Sequence, residues 1–299
     1  MQQIKSGILC EDSYLGVTLG ALIFPLGTIL IDAPLRPEDG RTWRSTLLNL
    51  RSGTIRLLIS LDAHLDRTLG ARAMDCTIVS HQRTAQVFRN RPTIFKGQSP
   101  DSGSEWETYI DVIGTRWAAP DITFTDRMRL HWGGSEVILE HHPGPAPGAI
   151  WVVIPAEKVV FVGDTITPNQ PPFLAIADLE PWQQSLDILL KEYKDFTIVS
   201  GRGGPVELGA VQAQVRYLKA IGKAIDRIAK RNPPPEATEK LIPGLLSGLT
   251  FSPEQYEQYA QRLRAGLYQY YTRVYQLGHS TDSLLPIEEE DILHKDPPA

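Results

Sequence analysis

Short apolar runs, most of them closed by Gly, Pro or Asp, recur along the first two thirds of the chain. Runs of this length that are rich in Ile, Val, Leu and aromatic residues are typical of β-strands. The predicted strands cover residues 54–60, 77–80, 128–132, 136–142, 149–155, 158–162 and 196–200. Helical patterns alternate with them at residues 82–89, 105–117 and 181–193, the last with Asp178 as its N-cap. This alternation predicts layered sheets covered by helices.

Residues 15–31 contain no charged side chain, which raises the question of a membrane span. The stretch has 17 residues, at the short limit for crossing a bilayer, and Pro25 and Gly27 interrupt its middle. We therefore predict two buried strands joined by a turn at residues 25–27, with no segment embedded in a membrane.

Beyond about Val206 the pattern becomes helical. Apolar residues recur at helical spacing until the sequence NPPPE, and a second helical block at 252–278 starts with SPEQ, a capping-box pattern of Ser252 and Gln255. This block carries six tyrosines, on several faces of the predicted helix: Tyr256, Tyr259, Tyr268, Tyr270, Tyr271 and Tyr275.

Such aromatic faces make the second block a candidate for homodimer contact, although docking on its own domain is the simpler interpretation. The predicted organisation is a main domain of residues 1–210, a helical extension of residues 211–280 and a flexible tail of residues 281–299.

Composition narrows the class of protein. The 299 residues are 42% hydrophobic and 22% charged, as in ordinary globular proteins, and the net charge of −5 gives no reason to expect a nucleic-acid partner. The two cysteines, Cys10 and Cys76, form no CxxC pair, so we expect no disulfide framework and a reducing, cytoplasmic setting. The first residues show no secretory signal pattern.

Four segments place polar residues at the ends of predicted strands. They read ILIDAPLRPEDGRTW, LLISLDAHLDRTLGAR, EHHPGPAPGAIWVVIPAEKVVFVGDTI and FTIVSGRGGP. Their order, spacing and flanking residues resemble the metallo-β-lactamase superfamily from about residue 10 to residue 220. In that family the second segment reads T-H-x-H-x-D-H, the third P-G-H-T-P-G followed by G-D, and the fourth G-H-G-P.

The resemblance implies an α+β fold, a four-layer αββα sandwich whose loops gather at one edge around one or two metal ions. Here the sandwich is followed by the C-terminal helical extension. The resemblance also shows that most metal-binding positions are substituted. The chain keeps His64, Asp66 and Asp164 of the family pattern. It has Asp62, Arg67, Pro145 and Arg202 where the family has histidine.

These substitutions oppose a dinuclear metal centre. Arginine offers donors only and stays protonated, so neither Arg67 nor Arg202 can ligate a cation, and Pro145 has no side-chain ligand. Three bare carboxylates about 4 Å apart would repel one another by roughly 4 kcal/mol per pair at an effective dielectric near 20. We therefore interpret the two arginines as replacements for metal charge beside Asp62, Asp66 and Asp164.

A single-metal site is the alternative within the enzyme class. Asp62, His64 and Asp164 are legitimate ligands for one zinc, iron or manganese ion, and His141 or His142 is a weak candidate for a further nitrogen ligand. Strand alternation allows only one of those two histidines to face the pocket. Neither a phosphate-binding loop nor a G-x-S-x-G nucleophile motif occurs in the sequence.

Three hypotheses about function follow. The first is a hydrolase homologue with a degenerate, metal-free or metal-poor site that retains a pocket for an unknown small molecule, with no cofactor expected. The second is a hydrolase with one metal ion on Asp62, His64 and Asp164. The third is an interaction protein that dimerises through its C-terminal helices and has an inert pocket. Because fold alone does not define a substrate, the sequence identifies none.

Overall fold

The apolar runs of the first two thirds form two β-sheets that lie face to face. The computed structural model describes residues 1–48, 55–97 and 102–277. Within them, seven strands form the first sheet in the order of the sequence: β1 Gln2–Lys5, β2 Ile8–Glu11, β3 Leu19–Phe24, β4 Gly27–Ile31, β5 Ile55–Ile59, β6 Thr77–His81 and β7 Ile122–Phe124. Strands β1 to β4 are antiparallel, whereas β4 to β7 run parallel.

Six strands form the second sheet, again in sequential order: β8 Arg127–Leu130, β9 Val137–His141, β10 Ile150–Ile154, β11 Val159–Gly163, β12 Thr197–Ser200 and β13 Gly204–Val206. Only β11 and β12 pair in parallel. The helices of the described residues are α1 Pro37–Leu48, α2 Leu65–Thr68, α3 Gln82–Arg89, α4 Leu179–Glu192, α5 Leu208–Ala229, α6 Ile242–Leu246 and α7 Tyr256–Tyr271.

Three apolar cores define four layers. Ile29, Val152 and Phe161 belong to the core between the two sheets, where side chains from both inner faces interdigitate. Trp43 of α1 packs on the outer face of the first sheet. The outer face of the second sheet shares one core with α4, α5, α6 and α7, which includes Trp182. The predicted α+β sandwich with a C-terminal helical part is therefore confirmed.

Most of the predicted elements are present. Residues 15–31 contribute β3 and β4, joined at residues 25–26, as the two-strand interpretation requires. Asp178 caps α4 by accepting a hydrogen bond from the backbone N–H of Glu180 at 3.2 Å. Before α7, Ser252 and Gln255 form the predicted capping box, in which the backbone N–H of Ser252 donates to Oε1 of Gln255 at 3.2 Å. Among the described helices, none is long and apolar enough to cross a membrane.

The helix predicted at residues 105–117 is wrong. The segment forms two short 3₁₀ turns, Glu105–Thr108 and Ile110–Val112, separated by Tyr109 in an extended conformation. Gly114 has a φ of +93°, which a continuing helix excludes. The backbone N–H of Trp106 donates to Oδ1 of Asp66 at 2.9 Å, so contacts with the rest of the fold override helical periodicity here.

The division at residue 210 stays a prediction. The boundary lies inside α5, and α5 and α7 share their apolar core with the second sheet. The tail predicted at residues 281–299 lies outside the described residues.

Neighbouring residues of α7 test whether the extension stabilises the sandwich. Leu267 is fully buried, whereas the side chain of Tyr268 is 41% exposed. We expect Leu267→Ala to lower the free energy of unfolding by about 2–5 kcal/mol, since it leaves a cavity in the core shared with the second sheet. Tyr268→Ala is the matched control and is expected to cost much less in the same urea-unfolding measurement. Equal effects of the two substitutions would contradict this packing.

Candidate functional site

The carboxyl ends of four strands meet at one edge of the sandwich. Asp32 follows β4, and residues 61–67 follow β5 in the first sheet. In the second sheet Asp164 follows β11, and Arg202 follows β12. Because β4 and β5 are parallel, as are β11 and β12, each pair of loops leaves its sheet on the same side. This topology brings together polar side chains that are far apart in the sequence.

Arg67 is the central residue among the polar side chains that the first sheet brings to this edge. Its side chain is completely buried, and its guanidinium contacts three carboxylates. The Nη1 atom donates to Oδ2 of Asp32 at 2.9 Å, Nε lies 3.2 Å from Oδ1 of Asp62, and Nη2 donates to Oδ1 of Asp164. A guanidinium with carboxylates on three sides is held in one orientation.

The backbone around Arg67 is shaped to admit this large side chain. Asp32 adopts a φ of +58°, and its second oxygen accepts a hydrogen bond from the backbone N–H of Leu61 at 2.9 Å. A Cβ atom at Gly201 would lie 2.8 Å from Nη2 of Arg67 and 2.7 Å from the backbone of Gly163. Glycine is therefore required at position 201, because the guanidinium of Arg67 lies directly against it.

Arg202 is the central residue among the polar side chains that the second sheet brings to this edge. Its Nε and Nη2 atoms donate to the two oxygens of Asp164 at 3.1 Å and 3.3 Å, a bidentate arrangement. The Nη1 atom donates to Asp66 at 3.2 Å and to Glu105 at 2.6 Å. The Nη2 atom also donates to Nδ1 of His64 at 3.1 Å. Asp164 thus accepts hydrogen bonds from both buried arginines.

A third buried arginine reaches the cluster from the C-terminal helix α7. Arg262 donates to Oε1 of Glu105 at 2.5 Å and to the backbone oxygen of Gly103 at 3.0 Å. Its guanidinium lies 4.1 Å from the centre of the Phe173 ring, and that of Arg202 lies 4.6 Å from the same ring. The cluster therefore includes a residue of the helical extension, and cation–π contacts at Phe173 accompany the ion pairs.

The predicted candidates separate into two groups. The structure brings six of them into one cluster: Asp62, His64, Asp66, Arg67, Asp164 and Arg202. It places the two other histidines elsewhere. The ring of His141 stacks on His81 at 3.8 Å and its Nε2 atom contacts the backbone oxygen of Pro147, while the ring of His142 stacks on Trp151 at 3.6 Å.

Neither histidine is placed to complete a metal site, since their rings already have these other partners in the described part of the chain. Strand alternation separates the two rings, as expected, but both find packing partners instead of the pocket. Across residues 1–48, 55–97 and 102–277, no group of three or more His, Cys, Asp or Glu has the geometry to hold a metal ion.

Sequence reasoning missed three members of the cluster. Asp32 ends a strand in the same way as the predicted candidates, so its position contained the signal. Glu105 was assigned to a helix that does not form, and Arg262 lies among tyrosines in a helix with no motif. Arg262 and Glu105 are 157 positions apart in the sequence. Nothing in a single sequence shows that an arginine of α7 reaches a loop of the sandwich so far from it.

Burial and the arginines divide the carboxyl groups into two classes. Burial raises the pKa of Asp164 and of Glu105, but the neighbouring arginines outweigh it and hold both pKa values well below their usual range. Burial raises the pKa of Asp66 well above its ordinary value, and the charge of Glu105 adds to the effect. Burial also raises the pKa of Asp32 to about 7, against the opposing influence of Arg67.

The directions of these pKa shifts agree with the numbers of carboxyl groups and arginines that contact one another. Five carboxyl groups, Asp32, Asp62, Asp66, Glu105 and Asp164, form ion pairs with three arginines, Arg67, Arg202 and Arg262. If all were ionised, the buried cluster would carry two uncompensated negative charges. The raised pKa of Asp66 acts against this excess, because isolated buried charge is very costly.

Comparison with known proteins agrees with this architecture. The model of the metallo-beta-lactamase superfamily matches residues 64–202, a range that begins at His64 and ends at Arg202. A metallo-beta-lactamase from Pontibacter korlensis superposes with a TM-score of 0.57 at 18% identity, over 73% of this chain and 97% of that chain. A search of curated protein sequences gave no match.

A second solved structure also includes the C-terminal helices in the superposition. The stereoselective inverting sec-alkylsulfatase Pisa1 from Pseudomonas sp. superposes with a TM-score of 0.63 at 14% identity, over 96% of this chain and 52% of that chain. This chain therefore spans about half the length of that relative. Identities this low show the fold alone, and the family match includes His64, Arg67 and Arg202 but not Asp32, Asp62 or Arg262. Residues 64–202 match the metallo-beta-lactamase superfamily, and the fold of the chain is that of a metallo-beta-lactamase.

The ion pairs of Arg202 predict a measurable energetic coupling. Arg202→Ala leaves Asp164, Asp66 and Glu105 without a shared cation, and we expect it to cost roughly 3–5 kcal/mol of the free energy of unfolding. Combining it with Asp164→Asn should recover part of that loss, because one of the unpaired charges is then removed. The readout is a double-mutant cycle from urea unfolding.

An exposed pair in the second sheet provides the control for this cycle. Nη1 of Arg129 donates to both carboxylate oxygens of Glu136 at 2.9 Å, but the side chain of Arg129 is 52% exposed. Arg129→Ala should leave stability nearly unchanged, since exposed pairs contribute little. An Arg202→Ala protein as stable as the wild type, with no coupling to position 164, would show that the arginine merely fills space.

The environment of His64 predicts that it stays neutral. Burial and the guanidinium of Arg202 lower the pKa of His64 well below its ordinary value. The unfolded chain takes up a proton at His64 below about pH 6.5, whereas the folded protein does not. The contribution of His64 to stability is therefore complete above that pH and decreases as the pH falls.

Nitrogen-detected NMR of the imidazole tests this expectation directly. We expect the His64 ring to keep the shifts of a neutral imidazole from pH 8 to about pH 5.5, with Nδ1 as the acceptor. A His64→Asn variant identifies the resonance by its loss. Titration of that resonance with a midpoint near 6.5 would rule out the hydrogen bond from Arg202 to Nδ1.

Proposed function

We propose that this protein is a hydrolase-like homologue that works without a dinuclear metal centre. Its superfamily typically binds zinc at this edge of the sandwich, and the arginines here replace the charge of the metal ions. The observation that carries the proposal is the contact of both Arg67 and Arg202 with Asp164, the position of the family's metal-bridging aspartate.

The residues present do not fit a metal ion. Both oxygens of Asp164 already accept hydrogen bonds from guanidinium groups. Oδ1 of Asp62 lies 3.2 Å from Nε of Arg67, and it accepts a hydrogen bond from the backbone N–H of His64 at 2.7 Å. A cation bound among these oxygens would lie a few ångströms from two permanent positive charges and would be repelled by roughly 3 kcal/mol per unit charge at about 6 Å.

The same contacts oppose the single-metal alternative on Asp62, His64 and Asp164. Nδ1 of His64 accepts a hydrogen bond from Arg202, so this nitrogen is already used. Zinc needs deprotonated ligands with free lone pairs. Occupying the site would require both arginines to leave, and both are nearly or completely buried with several partners. We therefore rank this hypothesis second.

The proposal that the C-terminal helices form a homodimer gains no specific support from the packing. Tyr259, Tyr270 and Tyr271 are buried within the chain, whereas Tyr256 and Tyr268 are more than 40% exposed. Most of the aromatic surface therefore serves the core shared with the second sheet. Dimerisation and an unknown small-molecule partner stay proposals.

Zinc binding tests the proposed function. Protein equilibrated with zinc and then desalted should retain well under one ion per chain, because the oxygens of Asp164 are occupied by Arg67 and Arg202. Chelator should leave the melting temperature nearly unchanged, as nothing that binds only the native state is removed. The readouts are elemental analysis and thermal unfolding.

A variant with the family's histidines provides the positive control. Replacing Arg67, Pro145 and Arg202 with histidine restores neutral nitrogen ligands at three positions, and zinc affinity should rise. Two ions per chain in the wild-type protein, or a fall of many degrees in its melting temperature with chelator, would overturn the proposal.

A further inference from the structure

Glu105 occupies a position that resembles that of a bound ligand. Its carboxylate lies between two arginines from distant parts of the chain, with Oε2 2.6 Å from Nη1 of Arg202 and Oε1 2.5 Å from Nη2 of Arg262. The side chain is about 90% buried. Each oxygen thus has its own guanidinium, and charge-assisted hydrogen bonds of this kind are the strong contacts by which arginine binds a carboxylate.

The two arginines are fixed independently of Glu105. Arg202 is also held by both oxygens of Asp164. Arg262 donates to Oε1 of Gln170 at 2.9 Å and to the backbone oxygen of Gly103 at 3.0 Å. Because each guanidinium has other partners, removing the carboxylate of Glu105 should leave both arginines in place.

Phe173 adds an aromatic wall to the same site. The two guanidinium groups lie 4.6 Å and 4.1 Å from its ring centre, and the ring of His64 lies 4.1 Å from it. The side chain of His64 is 19% exposed, so the cluster reaches the surface at this point. A small planar anion would therefore meet two oriented cations beside an aromatic face.

The segment that carries Glu105 is short and lies against α7. Glu105–Thr108 is a single 3₁₀ turn, and Gly103, with a φ of +70°, lies against the backbone of α7. A Cβ atom there would lie 2.5 Å from the backbone nitrogen of Arg262. This close approach brings Glu105 to the arginine of α7.

We propose that Arg202, Arg262 and Phe173 form a binding site for a small carboxylate, and that Glu105 is its internal occupant. The site exists only when α7 is docked, since α7 supplies one of the two arginines. The ligand class is a planar carboxylate, which Glu105 supplies in the wild-type chain and which a free monocarboxylate can supply when that side chain is absent. The inference rests on the proposed replacement of metal charge by arginine, but its test measures anion binding and not zinc.

Chemical rescue of Glu105→Ala tests the site. The variant should melt below the wild type, since two buried arginines lose a shared carboxylate, and sodium formate should raise its melting temperature by several degrees. Sodium chloride at equal ionic strength should not, because chloride cannot contact both guanidinium groups as a carboxylate does. The wild type should show no formate-specific shift, as Glu105 fills the site.

Three variants make the result specific. Glu105→Gln keeps the shape but not the charge, and it should be destabilised without responding to formate, because the site stays filled. Glu105→Ala combined with Arg262→Met should lose the response. Glu136→Ala removes a carboxylate that contacts an arginine with both oxygens at the surface, and it should show no formate-specific shift.

If Glu105→Ala does not fold in chloride, its refolding yield at increasing formate concentration gives the same information. The expected result is a saturable rise in far-ultraviolet circular dichroism with formate and not with chloride. A Glu105→Ala protein that responds to formate no more than Glu136→Ala, in both melting and refolding, would overturn the proposal.

Discussion

The contact of Asp164 with two buried arginines is the interaction on which the rest of the site depends. Asp164 follows a strand of the second sheet, Arg67 follows a strand of the first, and Arg202 belongs to the loop after β12. Each of these charges would be very unfavourable alone at this depth, since desolvating an ion without a partner costs several kcal/mol. Together they satisfy one another and fasten the edges of the two sheets. A metal ion would join the same loops by coordination.

This substitution of charge imposes geometric demands that a metal ion does not. A guanidinium is planar and large, so the loops around it must have small residues or tight turns. Gly201 has no room for a side chain beside Arg67, and Asp32 takes up a left-handed backbone conformation to present its carboxylate. Arg262 extends the same principle to α7, because it supplies a third cation to a cluster with five carboxyl groups. The helical extension is thus part of the electrostatics of the site as well as of the apolar core.

Much of this structure was predictable from local patterns, and the rest depends on long-range contacts. Strand periodicity located β3 and β4, and the resemblance of four polar segments to the metallo-β-lactamase pattern implied the sandwich and the six clustered residues. The roles of Glu105 and Arg262 were not predictable, since their 3₁₀ and helical settings carry no motif and they meet only in the folded chain. The histidine pair 141–142 was a weak candidate from the sequence. Its residue type suggested ligation, but aromatic stacking on His81 and Trp151 decides where the rings lie.

Under the proposed replacement of metal charge by arginine, the fold is kept but the chemistry of the metal is not. A metal ion in a hydrolase polarises the scissile group and lowers the pKa of bound water, so that hydroxide forms near neutral pH. A guanidinium shares only the charge, since it has no vacant coordination position. Burial lowers the pKa of Arg67, but the surrounding carboxylates outweigh this effect and raise it. A guanidinium can orient and stabilise an anion but cannot generate the nucleophile. Under the proposed function, such a cluster is suited to recognising negative charge, and one such charge is the carboxylate of Glu105, which the chain itself supplies.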